Sequence, residues 1–169
     1  MRSEEVVVLK EVVVMAYTVR QIGNAALMDL AKTSFLSSRK ISPEAVLRCY
    51  DWAIRMRDEG RCVISGFQSG LEKDVLRFLL KGTQPIVLVL ARRMFKIIPE
   101  DLRHPVASGR LLIVSPFSDR IKRSDSSTAE TRNRFILEHS THHVFGSVDP
   151  NGHLARLIPA LPIDSVECL

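Results

Sequence analysis

At 169 residues, 46% of them hydrophobic, the chain can bury one well-formed core and leaves little room for a second. Lys and Arg number 24 against 19 Asp and Glu, a formal net charge of +5, which favours a polyanionic partner without demanding one. The three cysteines, Cys49, Cys62 and Cys168, have no CxxC spacing, so neither a zinc knuckle nor a disulfide framework is expected. Buried or indifferent thiols in a reducing, cytoplasmic compartment are.

Residues 1–31 read as an N-terminal extension packed on the core. Val6, Val7, Val8 and Val12, Val13, Val14 favour a strand by β-branching, whereas the lack of any turn residue over 4–18 favours a helix; both readings stay open. Lys10 and Glu11 interrupt the apolar run, so no membrane span and no signal peptide is expected. Gly23-Asn24 ends the pattern, with Asn24 placed to cap a short helix over 25–30.

From residue 32 to 169 one domain is expected, built from alternating strands and helices. A strand at 33–37 leads to Ser42-Pro43-Glu44, a helix start with Ser42 as N-cap and Pro43 in the first turn; Glu59-Gly60 stops that helix. Strand 62–65 and helix 70–80 follow, the latter with an apolar face of Leu71, Val75, Phe78 and Leu79. The unbroken apolar run at 85–90 is the pattern of a strand buried on both faces of a parallel sheet. Helix 99–108, strand 111–114, a polar serine-rich loop at 116–128, helix 128–140 and strand 143–146 complete the alternation. The proline-bearing tail at 150–169 reads as irregular, with a turn of helix near 154–157. The architecture is therefore α/β: a doubly wound, mostly parallel, Rossmann-like sheet in three α/β/α layers.

Ligands in such sheets bind at the carboxyl ends of the strands. Those ends are Ser38-Arg39, the turn Ser65 to Gly70, Ala91-Arg92-Arg93, Ser115 to Phe117 and Gly146 to Gly152. The central stretch Cys62 to Asp74 reads as strand, glycine-bounded turn and helix opening, a place where backbone N–H groups converge on a phosphate. Gly66 and Gly70 are spaced GxxxG and not GxGxxG, so the dinucleotide fingerprint is absent. Where that fingerprint needs an acidic residue about twenty positions on, the next strand ends in Arg92-Arg93, which suits phosphate better than a ribose. The plain alternative is that both glycines only permit a tight turn and close helix packing.

Thr131-Arg132-Asn133-Arg134 sits early in a helix, after the loop carrying Lys122 and Arg123. Two guanidiniums flanking an amide near a helix start suggest a forked phosphate or base clamp; the plain alternative is ion pairing with Glu130 and Glu138. His139, His142 and His143 cluster, but without further ligands at the right spacing, so no metal is expected. Neither a P-loop nor a GxSxG elbow occurs.

Ser65-Gly66 with Gly70-Leu71, the segment Gly109-Arg-Leu-Leu-Ile-Val-Ser115, Arg132-Asn133-Arg134-Phe-Ile-Leu-Glu-His-Ser140, and Gly152 resemble, in order and spacing, the DNA-processing protein A (DprA/Smf) family across roughly residues 32–157. Ser38-Arg39-Lys40 is similar to that family's Gly-Ser-Arg turn. The resemblance implies an extended Rossmann domain that binds single-stranded DNA in a basic pocket, hands it to a recombinase in natural transformation, commonly dimerises, and is not an enzyme. It implies no cofactor. The chain departs from the family where Ser-Gly-Gly-Ala-Arg-Gly-Ile-Asp is usual: Phe67, Gln68, Ser69 and Glu72 replace the second glycine, alanine, arginine and aspartate. Pro116 stands where a glutamate is usual. The same fold includes the lysine-decarboxylase-like (LOG) phosphoribohydrolases, whose Pro-Gly-Gly-x-Gly-Thr-x-x-Glu stretch has no match here.

The residues expected to meet nucleic acid are Ser38, Arg39, Ser65, Gly66, Gln68, Ser69, Gly70, Arg92, Lys122, Arg123, Arg132, Asn133, Arg134 and Gly152, with none catalytic. A small-nucleotide binder or N-glycosidic hydrolase of the LOG-related branch is the alternative.

Overall fold

The computed structural model describes residues 9–14 and 17–169. Among these residues eight strands make one sheet: β1 (Leu9–Val14), β2 (Tyr17–Gly23), β3 (Thr33–Leu36), β4 (Val63–Ser65), β5 (Ile86–Val89), β6 (Leu111–Ser115), β7 (His142–Phe145) and β8 (Val166–Cys168). Five α-helices accompany them: α1 (Pro43–Asp58), α2 (Gly70–Leu80), α3 (Glu100–Ala107), α4 (Ser126–Glu138) and α5 (His153–Leu157).

The layering follows from the period of two along a strand. Ile86 and Leu88 of β5 enter one core with Leu111 and Ile113 of β6, while Val87 and Val89 enter the opposite one with Leu112 and Val114. Both faces are thus apolar and both need a cover. The first core is closed by α1, α2 and α3 through residues such as Trp52, Leu79 and Leu102, with Trp52 stacked on Phe35 of β3 at 5.0 Å. The second is closed by α4, α5 and a 3-10 turn (Ala25–Asp29) through Phe135, Ile136, Leu154 and Leu27.

The sheet order is β1-β2-β6-β5-β4-β3-β7-β8. Every pair from β6 to β8 is parallel; β1–β2 and β2–β6 are antiparallel. From β3 the chain steps outward to β4, β5 and β6 under α1, α2 and α3, then returns over the other face through α4 to β7 beside β3. The winding reverses there, and a crevice opens at the carboxyl ends among the loops that follow β3, β4 and β7.

The doubly wound, mostly parallel α/β sheet expected from the sequence is the observed one, and α2 has the expected bounds. Two ends differ. At the N-terminus the open choice between strand and helix resolves over Leu9–Val14 as strand, paired to β2 from Leu9↔Ile22 to Val14↔Tyr17; Val6, Val7 and Val8 lie outside the described residues. β2 docks antiparallel on β6 and buries Val19 and Ile22 in opposite cores, which outweighs the absence of turn residues. At the C-terminus the turn of helix expected near 154–157 is α5, but the rest of the tail, expected to be irregular, holds two 3-10 turns and β8, which adds in parallel to β7. Three residues, Val166, Glu167 and Cys168, carry no period of their own; the free edge of β7 makes them a strand. Helix α4 begins at Ser126, two positions earlier than the expected 128, because Asp125 caps it: its carboxylate accepts from Thr128 N at 2.8 Å, and Asp125 N donates back to Thr128 Oγ1 at 2.9 Å.

Candidate nucleic-acid interface

The glycine-bounded turn connects β4 to α2 across the carboxyl edge of the sheet. Ser69 N-caps α2: its Oγ accepts from Glu72 N at 3.2 Å, and Glu72 Oε1 accepts from Ser69 N at 3.3 Å. The same carboxylate oxygen accepts from Gln68 N at 3.1 Å, and Oε2 accepts from Ser37 N at 3.4 Å on the loop after β3. Glu72 is therefore buried and binds two strand-end loops together. Ser65 is fully buried and its Oγ accepts from Phe67 N at 3.3 Å, closing the turn from inside.

Phe67 holds φ +46°, the one non-glycine left-handed residue among those described. A bulky residue is uncommon in that conformation, which costs about 1 kcal/mol or more. The ring is 4% exposed and packs into the α1–α3 core, which offsets the cost.

Arg132 reaches this turn from α4. It is 5% exposed, and its guanidinium lies flat against Gly66, where any Cβ would overlap it. Its Nε donates to Asn133 Oδ1 at 2.9 Å and its Nη1 to Gln68 Oε1 at 2.9 Å. Burial pushes the guanidinium down from its ordinary value and the Glu72 charge opposes that shift. An arginine remains cationic through such a shift. Asn133 Nδ2 continues the chain to His153 Nε2 at 2.7 Å, at the start of α5 after Gly152. With Nε2 accepting, the ring proton sits on Nδ1. Burial holds this imidazole below its ordinary value; Glu130 opposes and Arg156 and Arg132 reinforce the shift.

Gln68 closes the arrangement. While its Oε1 accepts from Arg132, its Nε2 donates to Ser124 Oγ at 2.9 Å, spanning from the turn to the loop before α4. On one side lies a main cleft of about 1050 Å³ between the ends of β3, β4 and β7; on the other lies a more apolar side cleft of about 600 Å³ beneath the end of β5.

Ser38, Arg39, Gln68, Ser69, Gly70, Arg132, Asn133 and Gly152 all line the main cleft. Ser38 Oγ accepts from Asp149 N at 2.8 Å and Ser38 N donates to Ser147 O at 2.8 Å, which hold the β3 and β7 loops in step; Arg39 is exposed. Gly66 and Arg92 line the side cleft, with the Arg92 guanidinium over the Phe95 ring at 5.2 Å. Lys122 and Arg123 are exposed on the loop that Arg93 N anchors through Ile121 O at 2.8 Å. Arg134 does not join Arg132: it is exposed and ion-pairs with Glu130 at 3.0 Å. Residues two apart on a helix point to nearly opposite sides, so the forked clamp suggested by Arg-Asn-Arg does not form.

Three elements of the site escaped the sequence. His153 had Gly152 beside it as the only cue. Glu72 had a local one, the Ser-x-x-Glu spacing from Ser69, which is a capping box. The Gln68–Ser124 contact spans 56 positions and leaves no sequence signal. His143, expected in a strand environment, is buried at the start of β7, with Nδ1 3.1 Å from Ser34 Oγ and 3.0 Å from Ser140 Oγ. Among the described residues no group of three or more His, Cys, Asp or Glu is placed to hold a metal ion, and no helix is long and apolar enough to cross a membrane.

Fold and cleft together define a Rossmann-like α/β protein whose strand-end cleft is lined by cations that include Arg39 and Arg132. The sequence profile of the family described as DNA recombination-mediator protein A matches residues 7–145, and the chain belongs to that family. Among solved structures it is similar to DNA processing protein A from Helicobacter pylori, a protein described for its single-stranded DNA binding mode: TM-score 0.68 at 17% identity, covering 93% of this chain and 78% of that one. It is similar also to DNA processing protein A (DprA) from Streptococcus pneumoniae, with TM-score 0.66 at 14% identity, 84% of this chain and 52% of that one. The molybdenum cofactor binding protein from Rippkaea orientalis has the same fold at TM-score 0.56 and 12% identity, over 82% of this chain and 75% of that one. No protein with a curated description matches by sequence.

Proposed function

We propose that this chain is a non-catalytic binder of single-stranded DNA, working in DNA processing in the cytoplasm. The observation that carries the reading is Arg132: a buried guanidinium laid against the backbone of a glycine turn, at the mouth of the main cleft. A strand's phosphate would meet Arg132 and the amides of Gly70 and Leu71 in the first turn of α2, where the helix end also favours an anion. Ser38, Arg39 and Gly152 line the same path. Arg92, Lys122 and Arg123 extend it along the ends of β5 and β6. Membership of a recombination-mediator family supports a recombinase as the protein that receives the strand, and a second copy of the chain as a dimer partner.

The test is a salt titration of binding to a fluorescent oligothymidylate. Binding whose logarithm falls linearly with the logarithm of salt is expected, and loss on Arg132→Ala. Absence of binding at low salt, or affinity indifferent to salt, overturns the reading. The second reading, a mononucleotide ligand, is favoured by the Gln68 bridge, which divides the groove into compartments of small-ligand size. It predicts thermal stabilisation by a nucleoside monophosphate and none by the oligomer.

A further inference from the structure

The main cleft and the side cleft share few lining residues, and among them are Gln68, Ser124 and Arg132, the three joined by the bridge. Their separation is thus made by one exposed side chain hydrogen-bonded at both ends. The backbone beneath that side chain does not drift: Phe67 is anchored in the core, and Gln68 N is held by Glu72. The amide would compete with a phosphate oxygen for Nη1 of a buried arginine whose Nε is already committed to Asn133.

We propose that Gln68 is an amide latch on this cleft: it competes with a phosphate for Arg132 and, when displaced, joins the two cavities into one groove for a strand. The inference rests on the nucleic-acid reading for its ligand, but the competition is a matter of hydrogen-bond chemistry. A neutral amide oxygen is a weaker acceptor for a guanidinium than an anionic phosphate oxygen. A phosphate therefore wins the arginine, and the freed amide takes its Ser124 contact with it. An apolar or small residue at position 68 would leave Arg132 unguarded, so that any small phosphate could lodge there. With glutamine present, a ligand must meet enough additional contacts along the groove to offset the lost bridge. The device thus sets a threshold of contacts that any phosphate ligand must meet.

The experiment compares the full chain with Gln68→Ala and Ser124→Ala, using inorganic pyrophosphate, a thymidine dinucleotide and a long oligothymidylate as probes. Gln68→Ala should bind pyrophosphate and the dinucleotide about fivefold more tightly, a typical net hydrogen bond at tenfold per 1.4 kcal/mol. Ser124→Ala should shift both the same way by less. The long oligomer should tighten by a similar factor, because every ligand that takes Arg132 breaks the same bridge. Affinities for all three probes unchanged or weakened in Gln68→Ala overturn the latch, because Gln68 would then be a ligand contact or a bystander. If no oligomer binds to any form but pyrophosphate stabilises Gln68→Ala more than the parent, the DNA reading fails and the latch stands. If the oligomer binds parent and variant equally, the DNA reading stands and the latch fails. Ser124→Ala leaves the turn intact, so the comparison survives should Gln68→Ala unfold.

Discussion

Arg132 and Arg134 are chemically alike and two positions apart, yet they sit in opposite circumstances. Arg132 is buried with each partner oriented on it, and Arg134 shares solvent with Glu130. Removing a buried charged hydrogen-bond partner strands the groups it satisfied, so Arg132→Ala should cost about 2–4 kcal/mol in denaturant unfolding. Arg134→Ala should leave the unfolding midpoint and oligonucleotide affinity near those of the parent, because an exposed i,i+4 pair is screened and held by two mobile side chains. The histidines make a second prediction at this scale. Burial holds His143 and His153 below their ordinary values, with His142 reinforcing the shift at His143. The unfolded chain then takes up protons at higher pH than the folded one. Stability is complete above about pH 6.5, the unfolded histidine value, and is lost as pH falls through the lowered folded values. Unfolding midpoints measured down that range should drop, and His153→Asn should make the drop shallower. Arg132's identity was legible as a candidate cation, but its burial was not, since nothing local distinguishes it from Arg134.

Among the elements, α2 and α4 show how caps place a site. Both begin with a reciprocal capping box, Ser69 with Glu72 and Asp125 with Thr128, and both start beside the main cleft. Glu72 serves two purposes, satisfying three backbone N–H groups and opposing the desolvation of Arg132. In Glu72→Gln an amide NH2 would face at least one of those donors, and a cost of about 1–3 kcal/mol is expected from chemical unfolding. Oligonucleotide affinity should weaken with it, because Arg132 loses the charge that compensates its burial. Ser69→Ala, which removes only the cap, should cost about 1 kcal/mol. Helix α2 was legible to the residue because its start and stop are both local signals. Strand β8 was not, because three residues become a strand only beside the vacant edge of β7.

For the whole molecule, the cations form a path and not a point. Arg39 stands at the β3 end, Arg132 at the centre, and Arg92, Lys122 and Arg123 at the β5 and β6 side. Each cation that neutralises a phosphate releases a counterion, so the slope of log affinity against log salt counts contacts at about 0.7 per phosphate on single strands. Replacing Arg39, Lys122 and Arg123 by alanine together should flatten the slope by about 2 while leaving thermal stability in place, since all three are exposed. An unchanged slope would move the strand to another surface. The continuity of the sheet belongs to this scale as well: β2 joins β6, so the stretch before residue 32 shares the cores of the rest, with Val19 and Ile22 buried in opposite ones.

By itself the sequence determined the alternation of strand and helix, the two-faced burial of β5 and β6, the glycine turn and the family, because apolar period, caps and turn residues act over a few neighbours. Tertiary structure alone decided which of two arginines is buried, that β1 is a strand, that a three-residue tail segment completes the sheet, and that Gln68 bridges to Ser124. Apart from the β1–β2 pairing, these are contacts between residues tens of positions apart. Their energy appears only when the winding of the sheet brings the loops of β3, β4, β7 and α4 to one crevice.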